Sequence, residues 1–277
     1  MTDNCKITRR LASGLIAGVL GTLAFCGAAM AQTTSASIKA KGKLVVGIHG
    51  DNQPWGFLNS RGENEGFDAD ISRLIGKELG VPVEFVVLAN AARIPALQAG
   101  RVDVLLATLA MTEERAKAIQ FTIPYAANQL SIVAPKTTKI TGFADLKGKT
   151  VGAPKASIQD GEIAREAPGA QLRRFDDDSA TIQALISGQV EAVGANQFYI
   201  ARFEELKPGV YENKFNMTAL YNGMGTRQGE KEWNAWLNAF IEKIKSNGEL
   251  AKAYDKWLKV KVPEFPKSLD GIPFTVN

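Results

Sequence analysis

Short apolar runs alternate with helical patterns of apolar and polar residues along most of the chain. In the first part, continuous apolar runs of strand length predict buried strands over residues 43–48, 83–88 and 102–107. Apolar positions at helical spacing, each series ended by a glycine, predict helices over residues 68–79 and 94–99. Because strand and helix alternate, the pattern predicts an α/β architecture with mainly parallel strands and right-handed crossovers.

The same alternation starts again after residue 149. It predicts three further strands, over residues 150–154, 171–175 and 190–195. It also predicts three further helices, over residues 157–166, 179–187 and 196–205. Two amphipathic patterns near the end of the chain predict helices over residues 233–244 and 248–260.

Two segments of the chain share one pattern. Residues 94–108 (IPALQAGRVDVLLAT) and 182–196 (IQALISGQVEAVGAN) each indicate a helix, a capping glycine and a buried strand. A duplication and the general needs of any αβ unit both explain this likeness. In either case Thr108 and Asn196 fall at the carboxyl ends of equivalent strands, where open α/β sheets bind their ligands. Two such units meeting edge to edge place these residues on opposite walls of one cleft.

The amino terminus has the pattern of a secretory signal. Basic residues precede an apolar run over residues 11–25, and small residues ending at Ala31 follow, so we predict cleavage after Ala31. The run is short and interrupted by glycines, which makes it a poor membrane span. Both cysteines lie inside this signal, so the mature chain has neither a disulfide nor a thiolate metal site. Cys26 gives a weak sign of lipid attachment, although Phe25 is large for the position before such a cysteine.

The composition excludes several classes of function. The chain of 277 residues has a formal net charge of +4, and nothing in that charge implies nucleic acid. His49 is the only histidine, and the chain lacks nucleophile, phosphate and dinucleotide motifs. We therefore expect no enzymatic activity, no cofactor and no metal site. Three consecutive acids, residues 176–178, predict a solvated loop and helix start rather than a catalytic pair.

Arg115 is unusual for its place in a helix. Thr112 is a predicted N-cap, and Glu113 and Glu114 suit a first helical turn, but a capping box would have a carboxylate where Arg115 stands. The positive end of a helix dipole disfavours a cation there by roughly 0.3 to 1 kcal/mol. Either the two glutamates neutralise Arg115, or Arg115 binds something outside the helix.

Several motifs together resemble one family. The motif GFDAD (residues 66–70), the segment ending in TEER (residues 112–115) and DLKGKTVG (residues 145–152) occur here in the order typical of the polar amino-acid-binding proteins of ABC importers. The resemblance runs from about residue 42 to residue 260. It implies a type II periplasmic-binding-protein fold, with mainly parallel sheets flanked by helices and a ligand cleft between two lobes that close by hinge motion.

The resemblance also implies the domain organisation and the partners. Lobe 1 is expected to comprise residues 32–126 and 223–277, and lobe 2 residues 127–222. The protein is expected to be a periplasmic monomer that captures a polar amino acid and delivers it to an ABC permease in the inner membrane.

The family's motifs assign roles at the α-carboxylate of the ligand. The arginine that grips this carboxylate matches Arg115, whose guanidinium makes paired charged bonds that an ammonium cannot reproduce. The backbone amides at a helix start match the segment with Ser157 and Ile158, although Ser157 serves equally well as a helix cap. Ala110 replaces a usual hydroxyl residue, so Thr108 is expected to contribute more.

The acidic residue that normally receives the ligand's ammonium matches Asn196, whose neutral oxygen cannot balance that charge. The family also includes a few cyclohexadienyl dehydratases, but Asn196 removes the carboxylate that such an enzyme would use. A different polar amino acid or a carboxylate without an amine therefore stays open as the ligand.

The distal part of the pocket resembles that of glutamate and aspartate binders. Asn52 and Asn90 stand where basic and glutamine-type binders have aromatics, whereas NRIP-like ARIP (residues 92–95) places Arg93 where those acidic binders hold a distal carboxylate. His49 matches a second basic position, and Trp55 is expected to shape the pocket. The alternatives without a role in ligand binding are a His49 that simply ends a strand, an Arg93 that is solvated at a helix start and a Trp55 that is only buried in the core. With Arg115 and Arg93 facing one crevice, the resemblance favours an acidic amino acid or a related dicarboxylate.

Overall fold

The computed structural model describes residues 33–276, so the predicted signal and both cysteines lie outside the described residues. Its strands are, in chain order, β1 (Leu44–Ile48), β2 (Asp51–Asn52), β3 (Gly56–Leu58), β4 (Asn64–Glu65), β5 (Val83–Val87), β6 (Val104–Leu105), β7 (Gln120–Pro135), β8 (Thr150–Pro154), β9 (Gln171–Phe175), β10 (Ala192–Asn196) and β11 (Tyr211–Thr226). Its α-helices are α1 (Ser35–Lys41), α2 (Phe67–Leu79), α3 (Arg93–Gln98), α4 (Glu113–Ala116), α5 (Ile158–Glu166), α6 (Asp178–Ile186), α7 (Tyr199–Leu206), α8 (Lys231–Ser246) and α9 (Glu249–Ala253).

The large sheet has the strand order β5-β1-β6-β11-β7-β10-β8-β9. Its short strands pair in parallel at both ends, β5 with β1 and β1 with β6 on one side, and β10 with β8 and β8 with β9 on the other. The second sheet is small, with the order β2-β3-β4. The two parallel groups confirm the predicted mainly parallel α/β architecture, with helices packed on the sheet.

Two long antiparallel strands in the centre connect the two parallel groups. β7 and β11 have 16 residues each and pair from Tyr211 opposite Pro135 to Thr226 opposite Gln120. The pairing shifts register near Asn216 and again near Asn222, which bends the pair. The sequence pattern did not predict either strand. Pro124 interrupts β7, and polar residues are scattered along β11, so neither segment shows the alternation of apolar and polar residues that is typical of a strand.

The predicted elements are otherwise close to the observed ones. The helix predicted over residues 196–205 begins only at Tyr199, because Asn196 still pairs with Leu130 as the last residue of β10. The pattern over residues 248–260 gives the short helix α9 followed by a π-helical turn over Tyr254–Leu258 rather than one continuous helix. Within residues 33–276, no helix is both long and apolar enough to cross a membrane.

Buried apolar side chains form separate clusters on the two sides of the central strands. The two clusters beside β1, β5 and β6 draw on residues between 38 and 126 and between 224 and 274. The two clusters beside β8, β9 and β10 draw on residues between 132 and 211. Two cores joined by a pair of strands are the physical basis of a two-lobed fold, because each side keeps its own packing when the strands bend.

Candidate ligand-binding site

A small polar cavity of about 40 Å³ lies where the carboxyl ends of the two parallel groups face each other. Nine of the ten sequence-predicted residues line it: His49, Asn52, Asn90, Arg93, Thr108, Arg115, Ser157, Ile158 and Asn196. Thr108 and Asn196 thus lie in one cavity, as the shared pattern of their two segments predicted.

Trp55 is the predicted site residue that does not line the cavity. Its side chain is fully buried and packs edge-on against Phe67 and Phe198, at 5.5 and 5.6 Å between ring centroids. The structure therefore places Trp55 in the core beneath the site, because an indole flanked by two rings on a short turn gains more from burial than from facing a polar cavity.

Arg115 reaches the cavity from the start of α4. The hydroxyl of Thr112 accepts a hydrogen bond from the backbone N–H of Arg115 at 3.2 Å, which confirms Thr112 as the N-cap. The guanidinium donates to the carbonyl of Ala110 at 3.0 Å and to that of Ala156 across the cavity at 3.5 Å. Among residues 33–276 it has no salt bridge within 4.0 Å, and burial lowers its pKa to about 10. Neither glutamate of its own turn pairs with Arg115, so this partly buried cation has no carboxylate partner among the described residues.

The start of α5 faces Arg115. Ser157 caps this helix, since its hydroxyl accepts a hydrogen bond from the N–H of Asp160 at 3.2 Å. The first N–H groups of an α-helix have no partner inside it, and Ser157, Ile158 and Gln159 line the cavity at this end. Arg115 and the α5 amino terminus together form an anion site with both charged and backbone donors.

Arg93 and His49 lie side by side and are almost fully buried. The Arg93 Nη1 donates to the carbonyl of Ala107 and to the His49 Nε2, the latter at 3.2 Å. Its Nε and Nη2 donate to the carbonyl and the side-chain oxygen of Asn90. Burial, and next the charge of Arg93, hold the pKa of His49 well below its usual value, so His49 is a neutral acceptor rather than a second cation. Four of the five guanidinium N–H groups of Arg93 thus have acceptors among residues 33–276, and the fifth has none there and is available for a ligand.

Both polar atoms of the Asn196 side chain form hydrogen bonds within the protein. Its side-chain nitrogen donates to the Asn52 Oδ1 at 3.0 Å, and its oxygen accepts from the N–H of Phe198 at 2.9 Å. The acceptors left at the cavity are Thr108 Oγ1 and Asn128 Oδ1, both buried and without a hydrogen-bond partner among residues 33–276. Buried polar atoms usually have partners, so these two oxygens are suited to donors of a bound ligand.

Thr108 is also held in an unusual backbone conformation. Its φ is +48°, and its N–H donates to the Asp68 Oδ2 at 2.9 Å, while Tyr125 donates its hydroxyl to the other oxygen of Asp68 at 2.6 Å. Left-handed backbone at a residue with a side chain costs free energy and is maintained by its surroundings. Asp68, the first acid of the GFDAD motif, therefore positions Thr108 from below the cavity.

Sequence reasoning missed two polar residues of the site. Asn128 lies in the central part of β7, a strand that the pattern did not predict. The three consecutive acids predict a solvated loop and helix start; Asp178 does begin α6, but only Asp176 is exposed, and Asp178 is buried and lines the cavity. Its position directly after the predicted strand β9 was the signal, because the carboxyl end of every parallel strand faces the same crevice.

Direct hydrogen bonds bridge the cavity. The carboxylate of Asp51 beside β1 accepts the N–H of Ser179 in the first turn of α6 at 2.8 Å. Arg202 in α7 donates to the backbone oxygen of Asp51, also at 2.8 Å. With the Asn196–Asn52 bond, these contacts hold the two walls together in a closed arrangement.

The two-lobed α/β fold, with a polar cavity closed between the carboxyl ends of its strands, defines a type II periplasmic binding protein. The chain belongs to the bacterial extracellular solute-binding proteins, family 3, whose family model matches residues 44–260. It is therefore a solute-binding protein of the kind that serves amino-acid ABC importers.

Individual relatives agree with this class. The ABC transporter glutamine-binding protein GlnH of Bacillus subtilis is 32% identical over 233 residues, which cover 82% of this chain and 85% of the relative. The crystal structure of the solute receptor for L-cysteine of Neisseria gonorrhoeae is 32% identical and has a TM-score of 0.80, over 84% of this chain and 100% of the other. The ancestral amino acid-binding protein AncCDT-1, described as a precursor of cyclohexadienyl dehydratase, is 29% identical with a TM-score of 0.75, over 82% and 99%.

Proposed function

We propose that this protein captures an amino acid or a related carboxylate in the periplasm by binding its α-carboxylate between Arg115 and the amino terminus of α5. One observation carries this proposal: Arg115 is partly buried at the cavity and has no carboxylate partner within residues 33–276. A partly desolvated, unpaired charge is costly, and a ligand carboxylate supplies the missing partner. Relatives named for glutamine and L-cysteine support an amino acid as the ligand.

The family and the sequence also support a proposal for export, for delivery of the ligand and for the lobe boundaries. We propose that residues 1–31 direct export and are removed, that a monomer delivers its ligand to an inner-membrane ABC permease, and that it does no catalysis. The proposed lobe boundaries, at residues 126/127 and 222/223, fall within β7 and β11. Two long strands that are bent by register shifts are suited to act as the hinge.

For the ligand, we favour an acidic amino acid or a related dicarboxylate. The supporting observation is that Arg93 and Arg115 line one small cavity and that burial lowers the pKa of both. Each cation raises the electrostatic cost of the other, so a ligand with two anionic groups gains most from this site. Because Asn196 is committed to Asn52 and Phe198, the ligand's ammonium is not essential to this proposal.

A neutral polar amino acid is the second candidate. It is favoured by the hydrogen bonds of Arg93, whose donors are mostly taken by Asn90, Ala107 and His49. A single remaining N–H suits the carbonyl of a distal carboxamide as well as it suits one carboxylate oxygen.

A thermal-shift panel separates these candidates. We expect L-glutamate, L-aspartate or the plain dicarboxylates glutarate and succinate to raise the melting temperature most, ahead of L-glutamine, L-cysteine, L-arginine and L-lysine. A ligand at 100 times its dissociation constant adds about 2.7 kcal/mol of stability. Stabilisation by L-glutamine or L-cysteine alone selects the second candidate, and a flat response to all carboxylates contradicts the proposed function.

A further inference from the structure

We propose that Asp178 binds the distal carboxylate of the ligand as a protonated carboxylic acid, so that capture of an acidic ligand is coupled to one proton. This proposal rests on the proposed function, because it needs the α-carboxylate at Arg115 and the distal group near Arg93.

Asp178 lies at the distal end of the cavity, close to a second acid. It lines the cavity together with Arg93 and His49 and is 3% exposed. An oxygen of Asp178, an oxygen of Asp51 and a ring nitrogen of His49 all lie within 4.8 Å of one another. Two carboxyl groups this close, one buried and the other half-buried, do not both ionise readily, so one of them keeps a proton.

The proton belongs to Asp178 because Asp51 has better support for a negative charge. Asp51 is only half-buried, so its charge is partly solvated, and its carboxylate accepts the backbone N–H of Ser179. The carboxyl group of Asp178 has a single hydrogen bond among residues 33–276, from the hydroxyl of Tyr199. Its second oxygen is free to carry the proton and to donate it in a hydrogen bond to a ligand.

The charged groups around Asp178 also favour its protonated form. Burial, and next the charges of Asp51 and Asp177, raise the pKa of Asp178 to about 8 against the opposing effect of Arg93 and Arg202. His49, the remaining titratable neighbour across the cavity, is neutral because burial and Arg93 lower its pKa.

This arrangement provides two donors for the two oxygens of a distal carboxylate. One comes from the remaining N–H of Arg93 and the other from the protonated oxygen of Asp178. An ionised Asp178 would instead place two anions in contact in a buried cavity, so the ligand and the ionised form exclude each other. The bound ligand therefore raises the pKa of Asp178 still further, and binding above pH 8 takes up a proton from solvent.

The test is isothermal titration of the full mature protein with L-glutamate and L-glutamine at pH 7 and pH 9. For the wild type, we expect the affinity for L-glutamate to fall about tenfold between these values, because the neutral fraction of a group with a pKa near 8 falls by that factor. The affinity for L-glutamine, whose carboxamide is uncharged, changes by less than threefold. Titrations at pH 8.5 in buffers of different ionisation enthalpy show proton uptake with L-glutamate only.

The decisive variant is Asp178→Asn, whose amide donates a hydrogen bond as the protonated acid does but cannot ionise. We expect it to bind L-glutamate within about threefold of the wild type at pH 7, and to lose both the pH dependence and the proton uptake. Asp176→Asn, which removes an exposed acid two residues away, keeps both. Asp178→Ser also removes the charge, and we expect its L-glutamate binding likewise to lose the pH dependence and the proton uptake.

Three results overturn the proposal: equal L-glutamate affinity at pH 7 and pH 9 in the wild type, a pH dependence that persists in Asp178→Asn, or no proton uptake at pH 8.5. The second result assigns the titration to another group, such as Arg93, and the third shows that no proton is linked to binding. If L-glutamate does not bind but L-glutamine does, the distal-acid inference fails while amino-acid capture at Arg115 stands. If neither these probes nor any carboxylate of the thermal-shift panel binds, the proposed function fails as well.

Discussion

Replacing Arg115 by alanine should weaken ligand binding by roughly tenfold to 150-fold, because each charge-assisted hydrogen bond to a carboxylate is worth about 1.5 to 3 kcal/mol. The same variant should be at least as stable as the wild type without ligand. Arg115 is a partly buried cation whose pKa burial lowers to about 10, and within residues 33–276 its guanidinium has only carbonyl acceptors. Isothermal titration with the best ligand of the panel and thermal melting without ligand measure the two effects.

Two matched variants sharpen this result. Arg115→Lys keeps the charge but loses the planar fork, so we expect an affinity between those of the wild type and Arg115→Ala. Arg101→Ala removes an exposed arginine that does not line the cavity and should leave binding unchanged. An affinity of Arg115→Ala within about threefold of the wild type means that the carboxylate binds elsewhere.

Replacing Asp68 by alanine should destabilise the protein by about 2 to 5 kcal/mol. The substitution leaves two buried donors, the N–H of Thr108 and the hydroxyl of Tyr125, without their acceptor, and each unsatisfied group costs about 1 to 3 kcal/mol. Urea unfolding measures the loss. We also expect weaker ligand binding, because Thr108 depends on this bond for its left-handed backbone at the cavity.

The stability that is lost in Asp68→Ala should decrease as pH rises. Burial raises the pKa of Asp68 to about 6, above its value in the unfolded chain, so its contribution to stability is full at low pH and declines as pH rises toward 6. The difference between wild type and Asp68→Ala should therefore be larger at pH 4.5 than at pH 7. Asp70→Ala is the control on the same helix, because its partly exposed ion pairs with Lys256 and Arg73 are worth about 1 kcal/mol or less. Equal losses in the two variants would contradict the role of Asp68.

Most of the fold could be predicted because local patterns determine the short elements. β8 and β9 have the predicted bounds, and α5 begins directly after its capping Ser157. β7 and β11 could not be predicted in this way, because β7 is buried almost throughout and β11 mainly over residues 222–226, each against partners far away in the sequence, so neither strand has one buried face with a regular alternation. Non-local burial leaves no local period to detect.

The same distinction between local and non-local information applies to the candidate site. Residues at strand ends, such as Thr108 and Asn196, could be placed from the pattern alone, since parallel strands end at one edge. What each side chain does depends on neighbours from distant segments. Arg93 was expected to be free for a ligand, yet Asn90 and Ala107 accept most of its donors, and His49 is a neutral acceptor and not a cation. Asp178 is buried because Tyr199 and the opposite wall cover it, which no local pattern could indicate.

The direct bonds across the cavity also determine how long a ligand stays. Asp51 is bonded to the start of α6 and to Arg202, and Asn52 to Asn196, without any atom of a ligand between them. A bound molecule can leave only after these bonds break, so the opening rate of the protein sets an upper limit on the dissociation rate. Residence time is thereby governed partly by residues that do not touch the ligand, and a permease that separates Asp51 from α6 would release the cargo without competing for its carboxylate.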